Sequence, residues 1–350
     1  MISGFYKKSL RRISPLCPVF NECGGCQFQD ISYQDELALK HEGLTELFAR
    51  DGINDIVISP IVPSPKEYHY RCRLDLKFLK IRSGAMFMGF SPVKGYQVIE
   101  VESCPIAMEA ISQFLPELKR QACEKIPAKY RNANLTIKTG DDGRIFWGGI
   151  GRKSLRMAPY DFLWTELEGR RIHYSLETFF QANLAILPSL MQVIRGLGVL
   201  DSGTTFFDLY GGVGLFGVTF ADEVHGVILM EENGHAVTCA QHNTQWNRLK
   251  NVHLIEGRVE DFFASVLERV GSRRRVAMID PPRAGLSPSV RDMLARAHGL
   301  DALIYLSCNP QTLVRDLKDL RPSGWRISEV IPFDFFPRTR HLETLVLMQR

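Results

Sequence analysis

The sequence predicts an α/β protein. A doubly wound parallel sheet fills its C-terminal half, a β-rich domain precedes it, and a small cysteine-bearing segment stands at the N-terminus. Three observations carry this. From Thr204 onward, short apolar runs alternate with helical stretches, the pattern of a parallel sheet with crossover helices. Between Arg71 and Phe78, apolar and charged residues alternate strictly, which reads as a half-buried strand. Three cysteines fall within ten residues, Cys17, Cys23 and Cys26. The expected divisions are residues 1–50, 51–170 and 171–350.

At the N-terminus, Lys7, Lys8, Arg11 and Arg12 make a basic stretch, either a phosphate-contacting arm or a frayed end. Gly24-Gly25 then permits the tight turn that lets Cys23 and Cys26 face one ion. Cys104, far along the chain, completes a four-thiolate set of the kind that binds zinc or an iron–sulfur cluster, and spacing alone does not choose between them. Residues 31–50 form a helix with Leu37, Leu44, Leu47 and Phe48 on its apolar face. The stretch 54–138 reads mostly as strand. In 71–78, Cys72, Leu74, Leu76 and Phe78 point one way, and Arg71, Arg73, Asp75 and Lys77 the other. With Lys66, Lys80 and Arg82 the charged side is either a solvated face or a surface for RNA phosphates. Gly140-Asp141-Asp142-Gly143 is a hairpin turn, and irregular β structure continues to about Gly169. Phe179-Phe180-Gln181 leads into a helix over 184–197, stopped by Gly198.

Strands are expected at 204–209, 224–230, 252–255, 276–279 and 303–306, with 327–333 and 344–348 as a closing pair. The first ends in Asp208-Leu-Tyr210-Gly211-Gly212-Val-Gly214-Leu-Phe216-Gly217, a glycine-rich turn suited to close approach by a ligand. Gly212, Gly214 and Gly217 also spell G-x-G-x-x-G, so a nicotinamide-dependent oxidoreductase with an iron–sulfur relay is a rival reading. Glu231, ending the second strand, can take a ribose hydroxyl pair under either reading. Asp208 favours a cationic ligand such as S-adenosylmethionine over a diphosphate. The fourth strand ends in Asp280-Pro281-Pro282-Arg283, a stiff acidic loop. The fifth ends in Ser307-Cys308-Asn309-Pro310. A cysteine at the carboxyl end of a strand in an open α/β sheet is either a half-buried structural thiol or a nucleophile.

Bulk properties bound the classes. The 350 residues hold two or three domains, and a hydrophobic content of 45% with 23% charged residues is ordinary for a soluble globular chain. A net charge of +4 permits a nucleic-acid partner without arguing for one. No apolar run approaches the roughly 20 residues of a membrane span, and the first residues lack the apolar core of a secretory signal. Eight cysteines are too sparse for a disulfide scaffold, so a reducing cytoplasm is expected.

The motifs around Asp280 and Cys308, with Phe336-Pro337-Arg-Thr-Arg-His341-Leu-Glu343, together resemble the RNA 5-methyluridine methyltransferases. Cys17, Cys23, Cys26 and Cys104 look like that family's four-iron–four-sulfur ligands. The resemblance runs from Cys17 to the C-terminus. It implies a class I (Rossmann-like) methyltransferase domain with S-adenosyl-L-methionine as donor. By motif position Gln181, Tyr210, Glu231 and Asp280 bind the donor, Cys308 is the nucleophile and Glu343 the base. The implied acceptor is the C5 of an RNA uracil in a single-stranded or loop segment. Where the family's loop carries a cysteine, this chain has Gly211. Many members carry a small β-barrel before the cluster, and only sixteen residues precede Cys17. That organisation resembles the branch acting on 23S ribosomal RNA, of the uracil 747 type, with another 23S uracil or a transfer-RNA uracil as alternatives. A monomer is expected.

Overall fold

The computed structural model describes residues 10–95, 97–127, 130–149, 161–271 and 274–350. Lys7, Lys8 and part of the irregular region before Gly169 lie outside the described residues.

The helix expected over 31–50 is α1 (Tyr33–Arg50). Ser32 caps it by accepting the Asp35 N–H at 3.2 Å, and Asp35 and Glu36 suit the positive end of the helix. Arg11 and Arg12 before it are tied down. Arg12 ion-pairs with Asp30, and the Ser32 N–H donates to the Arg11 carbonyl at 2.9 Å. The central region contains β1 (Arg73–Lys80), β2 (Met86–Phe90), β3 (Ile99–Glu100), β4 (Asn132–Thr139) and β5 (Ile145–Gly149), in the order β3-β2-β1-β4-β5. The alternation read at 71–78 holds, with Leu74, Leu76 and Phe78 buried. Gly140–Gly143 joins β4 to β5 as expected.

One expectation is overturned. Within the stretch read as mostly strand lies α2 (Glu109–Lys125). Ile111, Leu115, Leu118 and Ala122 recur at helical spacing and are completely buried against the inner face of the five-stranded sheet. Pro116 removes one helical hydrogen bond, and burial of that stripe outweighs the loss.

A hairpin of β6 (Leu163–Leu167) and β7 (Arg170–Tyr174) follows, then α3 (Leu187–Gly196). The alternating pattern next gives β8 (Thr204–Leu209), α4 (Leu215–Thr219), β9 (Gly226–Glu231), α5 (Gly234–Trp246), β10 (Val252–Glu256), α6 (Val259–Arg269) and β11 (Arg274–Ile279). It ends in α7 (Pro288–Arg296), β12 (Ala302–Ser307), α8 (Pro310–Leu320), β13 (Arg326–Phe333) and β14 (Glu343–Gln349). The sheet order is β10-β9-β8-β11-β12-β14-β13. The first five are parallel, and β14 runs antiparallel to both its neighbours.

Successive side chains of the fully buried β8 feed opposite layers, Phe206 towards the β6–β7 hairpin, α3 and α5, and Phe207 towards α6, α7 and α8. Leu44 and Phe48 of α1 join the second layer. The segment after α1 runs beside β13, where Ile58 bridges Val330 and Val62 bridges Phe333 in parallel. The N-terminal helix is therefore built onto the C-terminal sheet.

Candidate functional site

Strand order reverses at β8, and the carboxyl ends of β8, β9, β11 and β12 face one crevice, where such sheets bind ligands. Asp208 is buried and accepts the Gly217 N–H at 2.8 Å. A Cβ at Gly217 would stand 3.0 Å from that carboxylate and 2.9 Å from Val227, so only glycine allows the approach. The two oxygens of Glu231 accept the Gly212 N–H at 2.9 Å and the Asn233 N–H at 2.8 Å, which fixes the carboxylate with lone pairs to spare. The loop N–H groups of Gly212 and Gly217 are thus committed to acids. They do not cradle a pyrophosphate, and the nicotinamide reading loses its mechanical basis. Gly211 fits its place closely, since a Cβ there would lie 2.5 Å from Leu229 Cγ. The cysteine familiar at this position has no room beside Leu229. Tyr210, half-buried, adopts a positive φ of 60° at the head of the loop.

Asp280 closes the crevice from β11 and accepts a 2.9 Å hydrogen bond from Gln181. Burial lifts Asp280 to about 7, with the Gln181 amide opposing. Burial also lifts Asp208 to about 7, opposed by the Gly217 N–H and reinforced by Asp280 and Glu231. Three carboxyls converging at one sheet edge make a pit that suits a cation.

Cys308 stands at the end of β12. Asn309 caps α8 by accepting the Gln311 N–H at 3.2 Å, and its amide donates to the Arg283 carbonyl at 3.0 Å. This ties the cysteine turn to the Asp280–Arg283 loop and explains why both motifs are polar and proline-stiffened. The β12–β14 register ends with Ser307 facing Thr344, and Cys308 and Glu343 are the next residue on each side. Burial pushes the Cys308 thiol up to about 11; Glu343 and Asp280 add to this and Arg283 opposes it. Burial and Asp280 hold the Glu343 carboxyl well above its usual range, again against Arg283. Glu343 is 4% exposed, and its Oε2 has no hydrogen-bond partner among the described residues. A buried acceptor with nothing to bind is costly, and it points into a place where something else supplies the donor.

Sequence reasoning missed part of this site. Arg283 was quoted in a motif without a role, yet it is the cation within reach of both Cys308 and Glu343. Its signal was a basic residue directly after Asp-Pro-Pro. His341 stands in the motif that ends in Glu343. It is half-buried, and burial with Arg283, Arg340, Arg71 and Lys40 lowers it to about 4, so the imidazole is neutral. The expected phosphate face around Arg71 and Arg73 divides. Arg71 lies over the Phe336 ring at 5.7 Å, at the rim of the site. Arg73 is locked to Asp75 at 2.9 Å, so its charge is already spent.

Cys17, Cys23, Cys26 and Cys104 influence one another electrostatically, although Cys104 is remote in sequence. Burial pushes Cys26 up to about 12, and Cys104, Cys23 and Cys17 each raise it further. The loop docks on the central sheet through Gly24 N–H to Ser91 O at 3.0 Å. The Gly25 N–H meets Cys23 Sγ at 3.4 Å. As the side chains stand, no group of three or more His, Cys, Asp or Glu among the described residues could hold a metal ion. Cys72 and Cys239 are buried in the core. No helix among the described residues is long and apolar enough to cross a membrane.

Comparison with known proteins agrees with this geometry. A solved tRNA (uracil-54, C5)-methyltransferase of Pyrococcus abyssi, in complex with S-adenosyl-L-homocysteine, superposes with a TM-score of 0.70 at 22% identity, over 93% of this chain and 86% of that one. Its fold is shared. An uncharacterized RNA methyltransferase of Thermotoga maritima is 29% identical over 98% of this chain and 86% of its own length. A 23S rRNA (uracil(1939)-C(5))-methyltransferase of Aliivibrio fischeri is 25% identical over 98% and 84%. The family model for tRNA (uracil-5-)-methyltransferases matches residues 157–350, more than half of the chain. This makes the chain a member of the tRNA (uracil-5-)-methyltransferase family and an S-adenosylmethionine-dependent RNA uracil-C5 methyltransferase.

Proposed function

We propose that the protein methylates C5 of a uracil in 23S ribosomal RNA through a transient bond between Cys308 and C6 of the ring. What supports this is the β12–β14 register, whose last pair adjoins Cys308 on one strand and Glu343 on the other, with Glu343 Oε2 buried and without a hydrogen-bond partner among the described residues. The thiol of Cys308 loses its proton to solvent and bonds C6, and the C5–C6 electron pair moves onto C5 and the C4 oxygen. S-adenosylmethionine supplies an electrophilic methyl group, and the electron pair of the broken S–CH3 bond stays on its sulfur. Glu343 then takes the C5 proton; the C–H pair rebuilds the C5–C6 double bond, and the Cys308–C6 pair returns to sulfur. Arg283 favours the charged forms of both groups. The base must leave its stack, which costs least in a loop.

Gln181, Tyr210, Glu231 and Asp280 would hold the donor: Glu231 by the ribose hydroxyls, Asp280 and Gln181 near the charged end, Tyr210 against the adenosine. Glu231→Gln should weaken binding of S-adenosylmethionine by about 10- to 100-fold, since hydrogen bonds to a carboxylate contribute roughly 1.5–3 kcal/mol. Calorimetry reads this directly, and unchanged affinity would remove Glu231 from the donor site.

Cys17, Cys23, Cys26 and Cys104 would hold a four-iron–four-sulfur cluster. Mutual coupling of the four thiols and an N–H aimed at Cys23 Sγ support thiolate ligation. When bound, such a cluster supplies a covalent staple between the N-terminal loop and the segment before α2. Protein purified without oxygen should contain iron and absorb broadly in the visible range. Zinc without iron would overturn the assignment.

The ribosomal substrate is supported by the Aliivibrio relative, which is named for a 23S uracil. The uracil 747 type is the first reading proposed, and the relative's name favours position 1939 as a second. Expression in cells lacking uracil methylation, followed by mapping of 5-methyluridine across ribosomal and transfer RNA, decides between them. Methylation confined to transfer RNA would refute the ribosomal assignment.

A further inference from the structure

The strand that begins with Glu343 is reached through an irregular loop, Asp334–Leu342, whose Arg338 has a φ of 68°. A positive φ at a bulky residue persists only where the surroundings impose it. Here the surroundings come from α1 and the segments flanking it. Lys40, almost fully buried, donates to Asp334 Oδ1 at 2.7 Å, to the Phe336 carbonyl at 3.2 Å and to Glu36 Oε1 at 2.7 Å. The Arg338 N–H donates to Glu36 Oε1 at 2.7 Å, and its carbonyl accepts the N–H groups of Gln27 and Phe28 at 2.9 and 3.1 Å. Its buried guanidinium donates to the Ile31 carbonyl at 2.9 Å and pairs with Glu67. Tyr70 donates its hydroxyl to the Pro337 carbonyl at 2.9 Å.

Stability alone is a poor account of this network. Burying charges is costly, and packed apolar groups usually hold two elements together as well or better. Moreover Glu36 Oε2, Asp334 Oδ2 and Arg338 Nε are buried without hydrogen-bond partners among the described residues. What directional contacts add is a fixed backbone path from Asp334 to Glu343.

We propose that Lys40 and Arg338 are positioning residues: without touching RNA, they hold the loop so that the Glu343 carboxylate meets the C5 proton. This rests on the base role of Glu343 proposed above. Attack and methyl transfer use Cys308 at the end of β12 and the crevice at β8, β9 and β11, whereas the hydrogen bonds of Lys40 and Arg338 go to the loop, to α1 and to the segment before it. Proton removal is the step whose acting group, Glu343, directly follows that loop. Loosening the loop should therefore leave adduct formation intact and slow adduct breakdown.

Single-turnover reactions with radiolabelled S-adenosylmethionine and an unmodified ribosomal RNA fragment measure both steps, as labelled protein–RNA adduct and as released methylated RNA. Tyr70→Phe, which removes one hydroxyl, should slow breakdown by about 3- to 10-fold, the equivalent of one hydrogen bond. Lys40→Met, of similar length, should slow it by on the order of 100-fold, with adduct forming within about twofold of the normal rate; Lys40→Arg should restore part of the loss. Glu343→Gln is the reference for a blocked release step. If Glu343→Gln accumulates adduct while the Tyr70 and Lys40 variants lose formation and release in equal proportion, the network is merely structural and the inference fails. If Glu343→Gln accumulates none, the base assignment fails and the inference falls with it.

Discussion

Replacing Cys308 with alanine should abolish methyl transfer, by roughly 10⁴-fold or more, as when a covalent nucleophile is removed. No other thiol stands at the end of a strand in this sheet; Cys239 is buried within α5. Donor binding should persist, because Glu231 and Asp280 are held by Gly212, Asn233 and Gln181 rather than by the thiol. The measurement is label transfer to RNA alongside calorimetry with S-adenosylmethionine. Turnover at the normal rate would eliminate the covalent route. Burial, Glu343 and Asp280 push the thiol up to about 11, so at neutral pH the free protein holds it protonated. The reactive form is the thiolate, and its fraction rises with pH. The initial rate of adduct formation should therefore climb about tenfold per pH unit below that value. A rate that falls as pH rises would contradict the sign.

Glu343→Gln should arrest the reaction one step later. The amide keeps the shape of the side chain but takes no proton, so methylated RNA should remain bonded to Cys308 as a slowly migrating complex on a denaturing gel. Release should slow by roughly 10²- to 10⁴-fold, the usual contribution of a general base. Because burial and Asp280 hold the carboxyl well above its ordinary range, its proton-accepting form also grows as pH rises. Release in the unaltered protein should accelerate with pH, while the residual release of the Gln variant should lack that dependence. Fast release from the Gln variant with no trapped complex would transfer the base role elsewhere, His341, a neutral imidazole two residues before Glu343, being one candidate.

The position of Cys308 was legible before any coordinates because its surroundings are local, whereas Glu343 came from the family resemblance alone. The Ser307–Pro310 turn breaks a short apolar run, and that alone places Cys308 at a strand end. All seven expected strands of the C-terminal sheet are present, since buried parallel strands are continuous apolar runs bounded by turn residues. The helix α2 was not legible in the same way. Its apolar stripe is spaced for a helix, but the alternation of the strand before it was carried across the whole stretch, and the surface it buries belongs to strands on either side in sequence. Arg73 shows the opposite failure. Its place on the charged face was read correctly, yet only the fold reveals that Asp75 consumes its charge.

The sequence by itself determined the alternation of the C-terminal sheet, the glycine turn, and the residue types available for a donor, a nucleophile and a base. Those follow from periodicity and backbone chemistry within a few neighbours. Only the tertiary structure decided which of them meet. That Cys308 and Glu343 adjoin one cross-strand pair depends on an antiparallel register between strands 35 residues apart. The path to Glu343 depends on charges from α1, nearly the whole chain away. Sequence separation carries no information about either, because long-range contacts are fixed by the packing of whole layers and not by local preference.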